Sequence, residues 1–226
     1  MKPRRKARGW LAPALVLACH AAHAAEAAFP RFAISDVQAD CDVAPSQGAK
    51  LCTVGSQGVC FTMPSALAST EDSVRYKFAL DPRTERLPLV DGGSWVFFSA
   101  SFSACGSGML ERIAILRFKP SAQGGSIANL MPYLTVSNVS DRAIWSVAEA
   151  SRYPLYVQAD FEWHGDETHF GAHYFNVEVW RFDPATLIYM RVLRYRTAKR
   201  YDGGDGGRVR VLGPERAEIL RRLAVK

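Results

Sequence analysis

The chain has 226 residues and a formal net charge of +6, a surplus that by itself would favour an anionic partner such as nucleic acid. The surplus is local, because the first 24 residues hold five of the 28 lysines and arginines and none of the 22 acidic residues. The rest of the chain carries 23 basic against 22 acidic side chains, so its charge gives no support for nucleic-acid binding.

The N-terminus has the pattern of a secretory signal peptide over residues 1–24. Five basic side chains precede an apolar run at Trp10–Ala18, and the small-residue sequence Ala22-His23-Ala24 follows. The run is shorter than the roughly 20 residues of a membrane-spanning helix, and no later run is long enough, so no transmembrane segment is expected. We therefore predict a periplasmic or secreted protein, cleaved after Ala24. In the rival interpretation, Cys19 is the lipid-modified first residue of a lipoprotein.

Four cysteines follow the predicted cleavage site: Cys41, Cys52, Cys60 and Cys105. An even count in an exported chain indicates two disulfides. The preferred pairing joins Cys41 to Cys52 across the turn-rich segment APSQGA, and Cys60 to Cys105. The rival pairing joins Cys52 to Cys60 across VGSQGV. Residues 25–226 are long enough for a sizeable core and are predicted to form a single domain.

Strand signals dominate this domain. Segments rich in Val, Ile, Phe, Tyr and Trp are separated by turn sequences such as VDGGS and FDPAT, and several alternate apolar and polar residues. We predict an all-β fold, propeller-like or an antiparallel meander or barrel, with a C-terminal α-helix. The predicted strands are SVRYKFAL, SWVFFSASF, RIAILRF, YLTV, LYVQADF, YFNVEVWRF and LIYMRVLRYRT.

A faint internal repeat runs through these strands. Trp95–Gly106 aligns with Pro154–Gly165, and each copy continues through a polar loop into a strand that ends in the pattern R-F-x-P. Strand repeats of this kind are typical of propeller blades, and a chain of this length would form about four or five of them.

The last elements are predicted in more detail. YFNVEVWRF is expected to pair with the following strand through the DPAT turn, with Glu178 facing an arginine across the pair. Residues 213–226 are expected to form the helix, because Pro214 suits its first position and Glu215 its positive end. The apolar stripe of this helix contains Ile219, Leu220 and Leu223.

The polar segment DFEWHGDETHFGAHYF, Asp160–Phe175, lies between two predicted strands and holds three histidines. A hairpin would return His173 toward His164, with His169 at the tip. One hypothesis is a loop that binds a protein partner, with the predicted contacts Trp163, His164, Asp166, Glu167, His169 and His173. The alternatives are general acid/base catalysis and a zinc site formed by His164, His169, His173 and Glu162.

Elsewhere the sequence contains no G-x-S-x-G elbow, no P-loop and no S-x-x-K pattern. The glycine-rich segment YDGGDGG, with Asp202 and Asp205, is a candidate calcium-binding turn. The sequence therefore favours a binding protein over an enzyme, with zinc and calcium as the candidate ions.

The segment GAHYFNVEVWRFDPATLIYMRVLRYRTAKRYDGGD, followed by VLGPERAEILRRL, resembles the C-terminal part of bacterial periplasmic β-propeller-like proteins related to lysozyme inhibitors and immunity proteins. The resemblance rests on Ala172-His173-Tyr174, on Arg194–Thr197, on Arg200-Tyr201 and on the Pro-Glu start of the last helix. It covers only the part of the chain from Gly171 onward. It implies an exported protein that inserts an exposed loop into the cleft of a peptidoglycan hydrolase.

Overall fold

The computed structural model describes residues 31–35, 49–55, 58–63, 77–78, 83–89, 94–103, 109–121, 125–132, 134–137, 140–162, 164–165, 167–168, 171–202 and 209–224. These residues form thirteen strands in three antiparallel sheets and one C-terminal helix. The predicted all-β class with a C-terminal helix is therefore confirmed. Among the described strands no sheet closes into a barrel, and the sheets number fewer than the blades expected of a propeller, so the antiparallel meander is the form observed.

The N-terminal sheet contains the only disulfide between described cysteines, and it differs from the preferred pairing. Cys52 lies directly opposite Cys60, with 4.0 Å between the Cα atoms, and the two are bonded. The predicted pairs of Cys41 with Cys52 and of Cys60 with Cys105 are therefore wrong. The reason is the register of the sheet. In this register the neighbour of Cys52 on β3 is Cys60, and its neighbour on β1 is Ala33. The strands, in sheet order, are β1 (Phe32–Ser35), β2 (Lys50–Thr53) and β3 (Cys60–Thr62).

Several predictions concern residues outside the described part of the chain. They are the signal peptide at residues 1–24, the lipidation of Cys19, and the positions of Cys41 and Cys105. In the part that the structure does describe, no helix has the length and apolarity to cross a membrane.

The middle sheet is built on one long hairpin, β6–β7. Strands β4 and β5 pair with β6, one after the other along its length. Strands β8 and β9 pair with β7 in the same way. The strands are β4 (Lys77–Phe78), β5 (Arg83–Pro88), β6 (Ser94–Ser103), β7 (Met109–Lys119), β8 (Ser126–Asn129) and β9 (Leu134–Ser137).

The C-terminal sheet is a four-stranded meander in the order β10-β11-β12-β13. The series β5-β6-β7-β8 of the middle sheet has the same connectivity, and the internal repeat falls on the equivalent strands β6 and β11. The strands are β10 (Asp141–Trp145), β11 (Leu155–Glu162), β12 (Tyr174–Asp183) and β13 (Ile188–Arg196).

Both faces of the two larger sheets are covered, so the molecule has four layers. In β6, Trp95 packs toward the C-terminal sheet and its neighbour Val96 toward the N-terminal sheet. In β11, Tyr156 packs toward the middle sheet and Leu155 toward the helix α1 (Leu212–Ala224). A strand buried on both faces needs apolar residues at successive positions, which explains runs such as SWVFF and RIAIL.

The hairpin predicted through the DPAT turn joins β12 to β13, with Asp183 opposite Ile188. The Asp183 carboxylate accepts hydrogen bonds from the Ala185 N–H at 3.0 Å and from the Thr186 hydroxyl at 2.8 Å, so the side chain closes the turn as expected. Leu187 follows at a φ of 60°, in the left-handed region that favours glycine, and its side chain is exposed.

Helix α1 begins at Leu212, one residue earlier than predicted. Its first turn is held by Asp141 of β10, whose carboxylate accepts hydrogen bonds from the N–H groups of Val211 at 2.7 Å and Leu212 at 2.8 Å. Ile219 of the predicted apolar stripe is fully buried against the C-terminal sheet, and Leu220 and Leu223 pack beside it. The apolar stripe predicted for the helix is therefore confirmed.

A buried carboxylate makes the second attachment of the helix. Glu215 accepts hydrogen bonds from the hydroxyls of Tyr195 and Tyr201. Both the burial of these hydroxyls and the neighbouring carboxylate raise the pKa of each tyrosine, so both remain protonated donors.

We predict that deletion of everything after Gly213 lowers the free energy of unfolding by more than about 3 kcal/mol, because it exposes the sheet face that Ile219 covers. Urea denaturation of the truncated and complete chains measures the difference. A milder variant, Ile219→Ala, should cost about 2–4 kcal/mol. A truncated chain that unfolds at the same urea concentration as the complete chain would contradict the packing described here.

Candidate functional site

The predicted binding loop connects β11 to β12. The structure describes Glu162, His164, Glu167 and His173 of this loop, whereas Trp163, Asp166 and His169 lie outside the described residues. The described members form two separate clusters, one around Glu167 and one around Arg196 of β13.

Glu167 fixes the described part of the loop. Its carboxylate accepts hydrogen bonds from the His164 backbone N–H at 3.2 Å and from His173 Nδ1 at 3.0 Å, and it lies 3.1 Å from the Arg200 guanidinium. The bond from His173 is the main reason that the pKa of Glu167 lies below its ordinary value of 4.5. His173 is itself buried, and its backbone is bonded to that of Tyr201, so the second end of the loop is also fixed.

The second cluster is more exposed. The Arg196 side chain lies 3.2 Å from the Glu162 carboxylate and donates to His164 Nε2 at 3.0 Å. A guanidinium can only donate hydrogen bonds, so the His164 imidazole accepts this one at Nε2. The same Nε2 atom lies 3.5 Å from the Glu162 carboxylate, but an accepting nitrogen does not form an ion pair with it. Arg196 also stacks on Tyr174, 4.0 Å from the ring centroid, with Arg200 at 5.0 Å from the same centroid.

Of the predicted zinc ligands that the structure describes, only Glu162 and His164 approach each other, at 3.5 Å. His164 also faces Arg196, and His173 faces Glu167 instead. Among the described residues, no group of three His, Cys, Asp or Glu side chains is placed to hold a metal ion. The remaining members of the zinc and calcium hypotheses, His169 and Asp205, are outside the described ranges.

A second site, not predicted from the sequence, lies between the edge strands β5 and β10. Here the middle and C-terminal sheets separate and leave a cleft of about 780 Å³. Small-molecule sites in proteins typically enclose about 300–1,000 Å³, so the cleft has the size of such a site. Its charged and aromatic lining includes Arg83, Glu85, Phe97, Glu111, Arg142 and Arg210.

The interface between the two sheets changes polarity along its length. At one end the interface is aromatic and closed, with the Trp95 ring 4.7 Å from that of Phe182 and 5.3 Å from that of Tyr153. At the other end, where the cleft lies, the sheets are joined by polar pairs instead. Both oxygens of Glu111 on β7 bind the Arg142 guanidinium on β10, and both residues line the cleft.

A further polar pair joins the sheets between β9 and β11. The Asp160 carboxylate accepts hydrogen bonds from the Ser137 hydroxyl and from its backbone N–H at 3.3 Å. Burial raises the pKa of Asp160, although these hydrogen bonds act in the opposite direction. Asp160 therefore serves the contact between the sheets, not the adjoining loop.

Beneath the cleft, a chain of hydrogen bonds crosses the C-terminal sheet from β11 to β13. The Tyr156 hydroxyl donates to Gln158 at 2.9 Å, and Gln158 donates to Glu178 at 2.9 Å. Glu178 also accepts from Arg191 at 2.6 Å, which confirms the predicted pair between Glu178 and an arginine of the next strand. Full burial raises the pKa of Tyr156, so its hydroxyl stays protonated and remains a donor.

One sequence signal could have indicated this site. Gln158 and Asp160 interrupt the apolar strand LYVQADF at positions two apart, and so lie on one face of it. Polar residues on one face of a buried strand require partners on the facing sheet, and Glu111 in MLERIAIL is the matching interruption there.

Comparisons with protein-family models, with curated proteins and with solved structures find no match to this chain. The resemblance of the segment after Gly171 to lysozyme inhibitors therefore stays a prediction.

We predict that Arg142→Met lowers the free energy of unfolding by about 3 kcal/mol, since it leaves the Glu111 carboxylate buried without a counter-charge. This loss of stability is at the lower end of the range for breaking a buried ion pair, because the Arg142 side chain is still 18 % exposed. Adding Glu111→Gln should recover most of the loss, as measured by urea denaturation at neutral pH. If Arg142→Met alone is as stable as the native protein, the pairing of Arg142 with Glu111 is contradicted.

We predict a specific pH dependence for Glu167→Gln. A carboxyl whose pKa is lower in the folded than in the unfolded state stabilises the fold above its unfolded value, and this contribution is lost as the pH falls through the folded value. The variant should be less stable than the native protein at neutral pH, and the difference should shrink at about pH 3. Glu149→Gln, an exposed glutamate outside the loop, is the control. A difference of equal size at both pH values would show that the ionised carboxylate is not what holds the loop.

Proposed function

We propose that the protein is an exported binding protein whose loop at residues 163–173 contacts a protein partner, and that this partner is a peptidoglycan hydrolase of the lysozyme type. The observation that carries the proposal is the attachment of Glu167, which binds the loop and its base from three directions. The predicted signal peptide and the resemblance of the segment after Gly171 supply the compartment and the class of partner.

The attachment of Glu167 favours recognition because the described residues around it need little further ordering. A segment that is already held in one conformation loses less conformational entropy when it binds than a free one does. His173 directly precedes β12 and Arg200 follows β13, and the bridge between His173 and Tyr201 joins these two segments, so Glu167 is attached to the sheet.

The charges at the base of the loop fit the cleft of such a hydrolase. Glycoside hydrolases of the lysozyme type use a pair of carboxyl groups on either side of the scissile bond. Arg196, which is 46 % exposed, carries a positive charge at the base of the loop, and His164, which is 44 % exposed, presents an imidazole ring beside it. Trp163, next to His164 in the sequence, is the type of residue that dominates binding energy in protein interfaces.

The Cys52–Cys60 disulfide supports export on independent grounds. Structural disulfides persist in oxidising compartments such as the periplasm and are rare in the cytosol.

The test is direct binding and inhibition. The chain from residue 25 onward is incubated with purified lysozyme-type hydrolases, and with an amidase that cleaves peptidoglycan without a carboxyl pair. Binding is measured by biosensor, and inhibition by the clearing of cell-wall suspensions. We expect inhibition of at least one lysozyme-type enzyme and none of the amidase.

The double variant His164→Ala/Arg196→Ala should weaken this binding at least tenfold, because it removes two polar contacts of about 1–2 kcal/mol each. Arg152→Ala, an exposed arginine in another segment, is the matched control and should leave binding unchanged. Absence of binding to every lysozyme-type hydrolase would refute the partner, and binding that survives the double variant would refute the loop.

A further inference from the structure

The mouth of the cleft between β5 and β10 carries two arginines that the loop hypothesis does not involve. Arg83 lies on β5 of the middle sheet, and Arg210 lies just before α1, so the two approach the mouth from different layers. Both side chains are exposed. Among the described carboxylates, none lies within ion-pair distance of either guanidinium.

The other charges of the lining are already committed, with one exception. Arg142 and Glu111 neutralise each other. The Asp141 carboxylate accepts two backbone N–H groups at the start of α1. Glu85 is the remaining carboxylate at the mouth. Two guanidinium groups against one carboxylate leave a surplus of one positive charge.

The interior of the cleft is suited to an apolar group. Phe97 and Val209 are largely buried at its wall, and Leu110 and Ile144 line it as partly exposed side chains. The cleft thus combines an apolar wall and a cationic mouth, which is the usual make-up of a small-molecule site.

We propose that this cleft binds an organic monocarboxylate, with the carboxylate between Arg83 and Arg210 and an apolar body against Phe97 and Ile144. Guanidinium groups bind carboxylates through paired, charge-assisted hydrogen bonds. A single negative charge matches the surplus at the mouth, whereas a second would face Glu85. The site is separate from the loop at residues 163–173, so it stands or falls independently of the proposed hydrolase partner.

The test uses 2-naphthoate and its uncharged analogue 2-naphthamide, which differ only in the charged group. Titration calorimetry of the chain from residue 25 onward, at low salt, should detect naphthoate binding and at least tenfold weaker amide binding, the ratio expected for loss of one charge-assisted contact. Arg83→Gln and Arg210→Gln should each weaken naphthoate binding about tenfold. Glu85→Gln should tighten it, because the variant removes the repelling carboxylate.

Arg86→Gln is the matched control. Arg86 is exposed on the same strand, but its position places it on the face opposite to Arg83 and Glu85, so naphthoate affinity should stay within about twofold. Thermal unfolding of each variant verifies that the fold is intact. The proposal is overturned if naphthoate and the amide bind equally, if neither binds at millimolar concentration, or if Arg83→Gln and Arg210→Gln bind naphthoate as well as the native protein does.

Discussion

Two hairpins, β6–β7 and β11–β12, carry buried apolar residues on both faces, and the other elements of the fold are arranged to cover them. The two hairpins pack against each other through one face each, and this contact forms the aromatic core around Trp95 and Phe182. The outer face of β6–β7 is closed by the N-terminal sheet, where Leu51 and Met63 are fully buried. The outer face of β11–β12 is closed by α1 through Ile219. Four layers follow from this single requirement.

The contact between the two hairpins is also where the molecule departs from an ordinary sandwich core. Rings at one end and polar pairs at the other give the interface an apolar half and a polar half. The polar half is a poor source of stability, because the desolvation of Glu111 and Arg142 offsets much of their attraction. Its effect is on the lining of the cleft, since Glu111 and Arg142 place charged groups at the wall between β5 and β10.

Features with local signals were predictable, and features set by register or by distant contacts were not. The strand runs, the turn at Asp183 and the helix stripe at Ile219 each depend on residues a few positions apart. Short strands such as β1 and β10 carry too few residues for periodicity to stand out. The disulfide between Cys52 and Cys60 depends on the register of the sheet. Glu111 and Arg142 are 31 residues apart, and no local pattern connects them. His164 and His173 are close in sequence, yet each faces a different partner.

Helix α1 follows all the described strands in the sequence, and this order has a consequence for biosynthesis. Ribosomes make a protein from its N-terminus, so the sheet face that contains Leu155 and Val179 is complete before the helix that covers it has been made. Until the segment from Leu212 emerges, the nascent domain displays an apolar surface of the kind that chaperones bind and proteases inspect. Chains that stop before Leu212 therefore keep this face uncovered and remain visible to quality control.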